Sequence, residues 1–381
     1  MKHNQHNPDF VFQHAPEPFN KWTDKAQLQY CLGGTLYMPG TRNIIDKILT
    51  RSLPAMKSMV MCFEDAIGAE EVEQAESNVL EHLTRMAEAQ QSHAIEADDV
   101  PLIFLRVRTL DQFSRFARRL VREQADVLSG FVFPKFYSDN AGDYLSVLAD
   151  LNQRLDVGLF GMPILEGKTI AYSESRKDEL ARLSEILRPY HDLILNIRVG
   201  GTDFSSLFGV RRSITSSIYD ILPVRDALSD VLNFFNRAEE DYVVSGPVWE
   251  YFLAYKEDDL GSLLHQDLHR SLLVKEPVVD EAIDGLLREV LLDKTNGFVG
   301  KTVIHPSHLR YVNAMQAVTL EEYDDACQIL GHAGGVCKSA RSNKMNEINP
   351  HRNWAERVVR RAAAYGVIES ENDYIQLFVG D

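Results

Sequence analysis

Residues 102–133 read LIFLRVRTLDQFSRFARRLVREQADVLSGFVF. Leu102–Val107 and Gly130–Phe133 are short apolar runs rich in β-branched and aromatic residues, the mark of strands buried on both faces. The stretch between them, Gln112–Gln124, has the composition of an amphipathic helix. The same strand–helix unit recurs outward in both directions. Upstream lie Thr35–Met38 and Met59–Phe63; downstream lie Gly158–Leu165, Leu193–Val199, Tyr242–Ser245 and Phe298–Ile304. Helical stretches separate them at Arg42–Arg51, Glu70–Met86, Ala141–Arg154, Arg176–Leu187 and Pro223–Arg237. Eight alternations over about 270 residues predict an α/β fold, a parallel sheet closed into a (β/α)8 TIM barrel with helices outside. The competing open, doubly wound sheet would carry a G-x-G-x-x-G turn after its first strand, and Met38-Pro39-Gly40-Thr41-Arg42 is not one.

From about Ser307 the pattern changes to helices without strand runs. Leu320–Leu330 begins at Thr319 with Glu322 three residues on, a capping box. Trp354–Tyr365 is a second helix, and Gly331–Pro350, rich in Gly, Ser, Asn and Lys, reads as a mobile loop. The expected organisation is a barrel domain with an N-terminal extension over residues 1–306 and a C-terminal helical extension or lid over 307–381.

Composition narrows the function classes. The chain has 381 residues, 45% apolar and 25% charged, which excludes a disordered or fibrous protein. A net charge of -16 argues against nucleic acid as a partner, since phosphate contact needs a basic surface. The polar N-terminus has no apolar core of a signal peptide. No apolar stretch reaches 18 residues, so no membrane span is expected. Four cysteines without CxxC spacing point to a reduced, cytoplasmic protein rather than to structural zinc or a disulfide framework.

A barrel keeps its chemistry at the C-terminal ends of its strands. Those ends carry Pro39-Gly40, Glu64-Asp65, Arg106 with Arg108, Pro134-Lys135, Glu166, Gly200-Gly201-Thr202-Asp203, Gly246-Pro247 and His305-Pro306. Glu166 and Asp203 end neighbouring strands, and two carboxylates with waters and substrate oxygens are how Mg2+ is held. Arg211 and Arg212 follow the sixth strand and are either solvated charges or ligands of an anion. Lys135 offers an amine for a Schiff base, which a metal pair makes unnecessary. His305 reads as a structural group, Trp249 as core, and no Ser or Cys has the context of a hydrolase triad.

The motifs Thr35-Leu-Tyr-Met-Pro-Gly40, Phe63-Glu-Asp-Ala-Ile67, Leu105-Arg-Val-Arg108, Phe133-Pro-Lys135, Met162-Pro-Ile-Leu-Glu166, Gly200-Gly-Thr-Asp-Phe204 with Phe208-Gly209, and Ile304-His-Pro306 resemble, in order, the strand-end motifs of the citrate lyase β-subunit/HpcH-HpaI aldolase superfamily. The resemblance spans roughly residues 33–365. It is nearest to the citrate-lyase-like C–C bond lyases of TIM-barrel fold, some of them from stress- or tellurium-associated gene clusters. The resemblance implies Mg2+-dependent cleavage or formation of a C–C bond through a metal-stabilised enolate of a small carboxylic acid or its thioester. It implies Glu166 and Asp203 as metal ligands, Arg106 as the clamp on substrate and enolate, and Glu64 and Asp65 as the acids that order metal-bound water. Lys344-Met-Asn-Glu347 stands where the family carries an acid that enters a neighbouring subunit's site, which implies a homo-oligomer with Glu347 acting across the interface. A barrel enzyme of the pyruvate/phosphoenolpyruvate type and a non-catalytic binding member are the alternatives; intact Glu166, Asp203 and Arg106 argue against the second.

The sequence departs from the family pattern at Arg108, where Asn is usual, at Gly167, where Thr often follows the metal Glu, at Arg211-Arg212, and at Glu347, where Asp is usual. The first three predict a more cationic pocket, with Arg108, Lys135, Arg211 and Arg212 joining Arg106 in binding substrate. Such a pocket favours an additional phosphate or carboxylate over a CoA thioester.

Overall fold

The computed structural model describes residues 1–4, 9–252, 281–339 and 344–378. Eight parallel strands form one sheet: β1 (Gly34–Pro39), β2 (Ser58–Cys62), β3 (Leu102–Arg106), β4 (Gly130–Phe133), β5 (Phe160–Leu165), β6 (Ile197–Val199), β7 (Val244–Ser245) and β8 (Lys301–Val303). Each pairs with its sequence neighbour, and β1 pairs with β8. The ring closes where Val299 N–H donates to the Val244 carbonyl at 2.9 Å and Thr302 N–H to the Gly246 carbonyl at 3.2 Å. The fold is a TIM barrel.

The strands are apolar throughout because helices cover one face and the barrel interior the other. Phe104, Leu105, Phe131, Val132 and Met162 are wholly buried. Each such side chain contributes about 1.5–3 kcal/mol through burial alone. The helix Val72–Gln91 turns Ala75, Val79, Leu83 and Met86 inward, the spacing that its sequence carries.

The stretch 112–124 is not one helix. Leu110–Arg119, capped by Thr109, ends where Leu120 turns extended and buries its side chain, and Arg122–Val127 starts afresh. No Gly or Pro marks that break. After β8 the helix His308–Met315 packs on β1 and so belongs to the outer ring of the barrel. Beyond it Val318, Ala326, Ile329, Ile348, Ala355 and Val358 form a small second core. Thr319 and Glu322 make the capping box at Leu320–Leu330.

The expectation of no strands in this part is corrected. Val318–Thr319 pairs with Val367–Ile368, and Val336–Lys338 pairs antiparallel with Met345–Glu347. The latter hairpin sits inside the expected loop, whose residues 340–343 lie outside the described ones. Polarity concealed it: only Cys337 and Asn346 face inward, and Asn346 is held by a hydrogen bond to Asp325 at 3.0 Å. Among the described residues no helix is long and apolar enough to cross a membrane. All four cysteines are free thiols.

The first residues are tied to the end of the helix Ile348–Tyr365 and to the strand that follows it. Asn4 Nδ2 donates to the Tyr365 carbonyl at 3.0 Å, and Val367 N–H to the His14 carbonyl at 2.8 Å. His3 is fully buried between Phe19 and Tyr365, with Nε2 2.7 Å from the Cys31 carbonyl. Burial drives its pKa down to about 3. The unfolded chain therefore takes up a proton near pH 6.5 that folded His3 refuses. The stabilising effect of its neutral form is full above pH 6.5 and is lost as pH falls toward 3. Over that window urea melts should lose stability at about 1.4 kcal/mol per pH unit for this one proton. His3→Gln should flatten the slope by that amount, and an unchanged slope would show that His3 carries no linkage.

Candidate active site

The parallel register sets the strand ends level. Cys62 pairs with Arg106, Phe133 with Pro163 and Leu165 with Val199. Glu64, Lys135, Glu166 and Gly200, each one or two residues further on, therefore meet at one rim. Glu166 and Gly200 border a cavity of about 450 Å3 that also takes in Asp65, Arg106 and Asp203. A second hollow of about 600 Å3 lies on the other side of Glu166 and Asp203, against Lys135 and Tyr137.

Gly200 makes the meeting of the two acids possible. A Cβ on it would stand 2.3 Å from the Glu166 Cβ, 2.7 Å from Glu166 Oε2 and 3.0 Å from Asp203 Oδ2. The two carboxylate oxygens thus border one small space. Burial pushes the Glu166 carboxyl up to about 8, with the Asp203 carboxylate adding to it. Asp203 is raised too, chiefly by burial. Two acids this close, Glu166 buried and Asp203 half-buried, call for a cation between them. Oxygen ligands of this kind suit Mg2+, which takes one or two carboxylates and keeps waters. Among the described residues no group of three or more His, Cys, Asp or Glu gathers to hold a metal ion, so the protein offers an ion these two carboxylates and no fuller cage.

Arg106 is the hub of the rim. Its Nη2 lies 2.6 Å from Glu64, 3.2 Å from Asp65 and 3.5 Å from Glu166. Burial acts to lower its pKa, but the carboxylates of Glu166 and Glu64 outweigh it, and the group stays above its ordinary value. Its Nε is buried without a partner. Glu64 is raised by burial and ion-paired to Lys135 as well. Lys135 holds φ at +48°, a left-handed conformation uncommon for a side chain of its size. That turn aims its backbone N–H at Glu166 Oε1, 2.8 Å away. Its amine faces Glu64 and Asp65 and stays protonated, because Glu64 outweighs the effect of burial. Gly167 leaves room for the Tyr137 ring, whose Cε1 would lie 1.9 Å from a Cβ there.

Three expected substrate ligands take other places. Arg108 Nη1 donates to the carbonyls of Phe63, Glu64 and Ile67 at 3.2–3.4 Å, so it braces the loop that carries Glu64 and Asp65. Arg211 and Arg212 pair with acids of the protein and do not line the rim cavity. Arg212 is buried with Nη1 on both oxygens of Glu289, at 3.0 and 2.9 Å, and its guanidinium stacks over Trp249. Arg211 is exposed and reaches Glu250 at 3.4 Å, the same carboxylate that lies 3.8 Å from Arg212 Nε. Trp249 is core, and His305 stacks on Phe252 with Nδ1 on Ser307. Glu347 lies on the outer face of its hairpin, exposed beside Val336, Lys338 and Met345. Sequence reading passed over Arg198, which sits in β6 and lines the cavity with Tyr37 and Thr302. A lone Arg inside the run LILNIRV was its only signal.

The chain is similar to several solved structures at low identity. CitE from Mycobacterium tuberculosis, in complex with magnesium, acetoacetate and coenzyme A, is 15% identical and aligns over 88% of this chain and 99% of its own, with a TM-score of 0.48. The citrate lyase β subunit of the same organism, complexed with oxaloacetate and magnesium, is 15% identical over 74% of this chain and 96% of its own (TM-score 0.40). The malate synthase of Haloferax volcanii, in a magnesium and glyoxylate complex, is 14% identical over 72% of each chain (TM-score 0.47). None of the curated proteins matches the sequence. A family model described as C–C bond lyase of the TIM-barrel fold matches residues 26–367. With nearly its whole length so matched, the chain belongs to the C–C bond lyases of the TIM-barrel fold.

Proposed function

We propose that this protein is a Mg2+-dependent lyase that breaks or forms a C–C bond beside a carboxylate by way of an enolate. The observation that carries this reading is the convergence of Glu166 Oε2 and Asp203 Oδ2 over Gly200, next to the Arg106 guanidinium. Glu166 and Asp203 would hold the ion. Bound there, it supplies Lewis-acid stabilisation of the negative charge that the reaction builds on oxygen. Arg106 offers the substrate a planar fork for a carboxylate or enolate oxygen. Glu64 holds that fork and is itself ion-paired to Lys135, whose backbone N–H fixes one oxygen of Glu166. Glu64 and Asp65 lie where they would order water at the ion. The substrate class is a small anionic carboxylic acid, free, phosphorylated or carried as a CoA thioester.

The outer face of the hairpin, with Val336 and Met345 60% and 59% exposed, belongs in this proposal as the surface by which Glu347 reaches the site of a second copy in a homo-oligomer.

Thermal melts with and without MgCl2 test the metal site directly. Ion at a hundredfold excess over its Kd should stabilise the protein by about 2.7 kcal/mol, a shift of several degrees. Glu166→Gln should remove the shift. A melt indifferent to Mg2+, or a shift that survives in Glu166→Gln, overturns the assignment.

A further inference from the structure

Arg198 is 1% exposed, in the middle of β6, and it differs from the other buried arginines in what surrounds it. Arg106 has Glu64 and Glu166, Arg176 has Asp230 at 3.0 Å, and Arg212 has Glu289. Arg198 has no acid among the described residues. Its Nη2 donates to Thr302 Oγ1 at 2.8 Å and its Nη1 to Thr35 Oγ1 at 3.4 Å, both neutral hydroxyls. Its guanidinium lies 5.4 Å from the centre of the Tyr37 ring. Arg198 Nε and Tyr37 Oη are both buried without a hydrogen-bond partner. A guanidinium does not escape such a place by losing its proton. An uncompensated buried charge is strongly destabilising, so a fold that keeps one is complete only with a counter-charge from outside.

That counter-charge has an obvious way in. Arg198, Tyr37 and Thr302 line the same cavity as Arg106, Glu166 and Asp203. We propose that Arg198, with Thr302 and Tyr37, forms a subsite for a second oxyanion of the substrate, a carboxylate or phosphate group, separate from the oxygens met by Arg106 and the Glu166–Asp203 pair. The substrate is then an acid with two anionic groups, one beside the bond that reacts and one on Arg198. This rests on the enolate-lyase function proposed above. The free Nε–H and Nη edge is a fork that matches two oxygens of one planar or tetrahedral anion. Tyr37 Oη supplies a further donor. A ligand with only one anionic group leaves these donors buried and unpaired, which is how a site built from polar groups rejects a truncated analogue.

Titration calorimetry in MgCl2 tests the subsite with three probes: pyruvate, with one anionic group, oxaloacetate, with a second carboxylate, and phosphonopyruvate, with a phosphonate in its place. Oxaloacetate or phosphonopyruvate should bind the wild type about 10–100-fold more tightly than pyruvate, the worth of a charged hydrogen-bonded contact. The tighter of the two tells a carboxylate subsite from a phosphate one. Arg198→Gln should remove most of that advantage and change pyruvate far less, and Arg198→Lys should restore part of it. Equal affinities for all three probes, or an advantage kept in Arg198→Gln, overturn the subsite while Mg2+-dependent pyruvate binding leaves the lyase function standing. If no probe binds in a Mg2+-dependent way, the lyase function fails and the subsite with it. Stability gives a readout that a purely structural arginine would move the other way. Arg198→Met should raise the Tm of the ligand-free protein, because it removes a buried charge without a partner. If the Gln, Met and Lys variants all fail to fold, Arg198 is structural and the proposal is overturned.

Discussion

Glu166→Gln and Asp203→Asn should each lower kcat by about a thousandfold or more, since each removes an oxygen ligand from the site where charge develops. Neither should unfold the protein. Both side chains stand at the rim, beyond Leu165 and Val199, and neither fills the core. Their burial beside each other is unfavourable, as the raised Glu166 carboxyl shows. A neutral amide in place of one acid relieves that repulsion, so Tm should hold or rise, a trade of stability against activity common at catalytic centres. The pair of measurements is kcat on whichever 2-oxo or 3-hydroxy acid is turned over, free or as the CoA thioester, and a thermal melt. A variant that keeps a tenth of wild-type kcat would remove that acid from the chemistry.

Arg106 gives the second large effect, and here conservative replacement should fail. Arg106→Lys keeps the positive charge but not the fork, and a single ammonium cannot face Glu64, Asp65 and Glu166 while also meeting a substrate oxygen. kcat/KM should fall by about 100–1,000-fold in Arg106→Lys, within about tenfold of Arg106→Ala. The two variants should part in stability. Arg106→Ala leaves Glu166 buried without its partner and Glu64 with Lys135 alone, a loss of up to roughly 3–5 kcal/mol by the usual cost of breaking a buried pair. Arg106→Lys should retain much of it. Full activity in the Lys variant would refute the clamp.

How far such residues were legible in advance depends on where their partners lie. β4 matches its apolar run to the residue, because Gly130 and the residues after Phe133 bound it sharply. β6 was read four residues too long. Arg188–Leu193 is a tight helical turn, and Asn196 donates its side-chain amide to the Val243 carbonyl just before the ladder begins. Glu64, Arg106, Glu166 and Asp203 were legible because strand-end position alone places them at the rim. Arg108, Arg211 and Arg212 were misplaced for the opposite reason. Guanidinium groups reach far, and Glu289, 77 residues from Arg212, is invisible from Phe208-Gly-Val-Arg-Arg212. Arg198 was missed because an inward-facing polar residue in an apolar strand has no local signature. Only the closed ring shows that, among the described residues, it has no acid opposite it.

The contact between Asn4 and Tyr365 has a consequence for the order in which the protein comes into being. The two residues are 361 apart in sequence. At about 5–20 residues per second, synthesis separates them by on the order of half a minute. During that interval His3 has only part of its enclosure, since Phe19 and the Cys31 carbonyl follow it closely but Tyr365 comes long after them. The first residues therefore wait through the making of all eight barrel strands for their permanent neighbour, and the seam they form closes after the barrel has been synthesised.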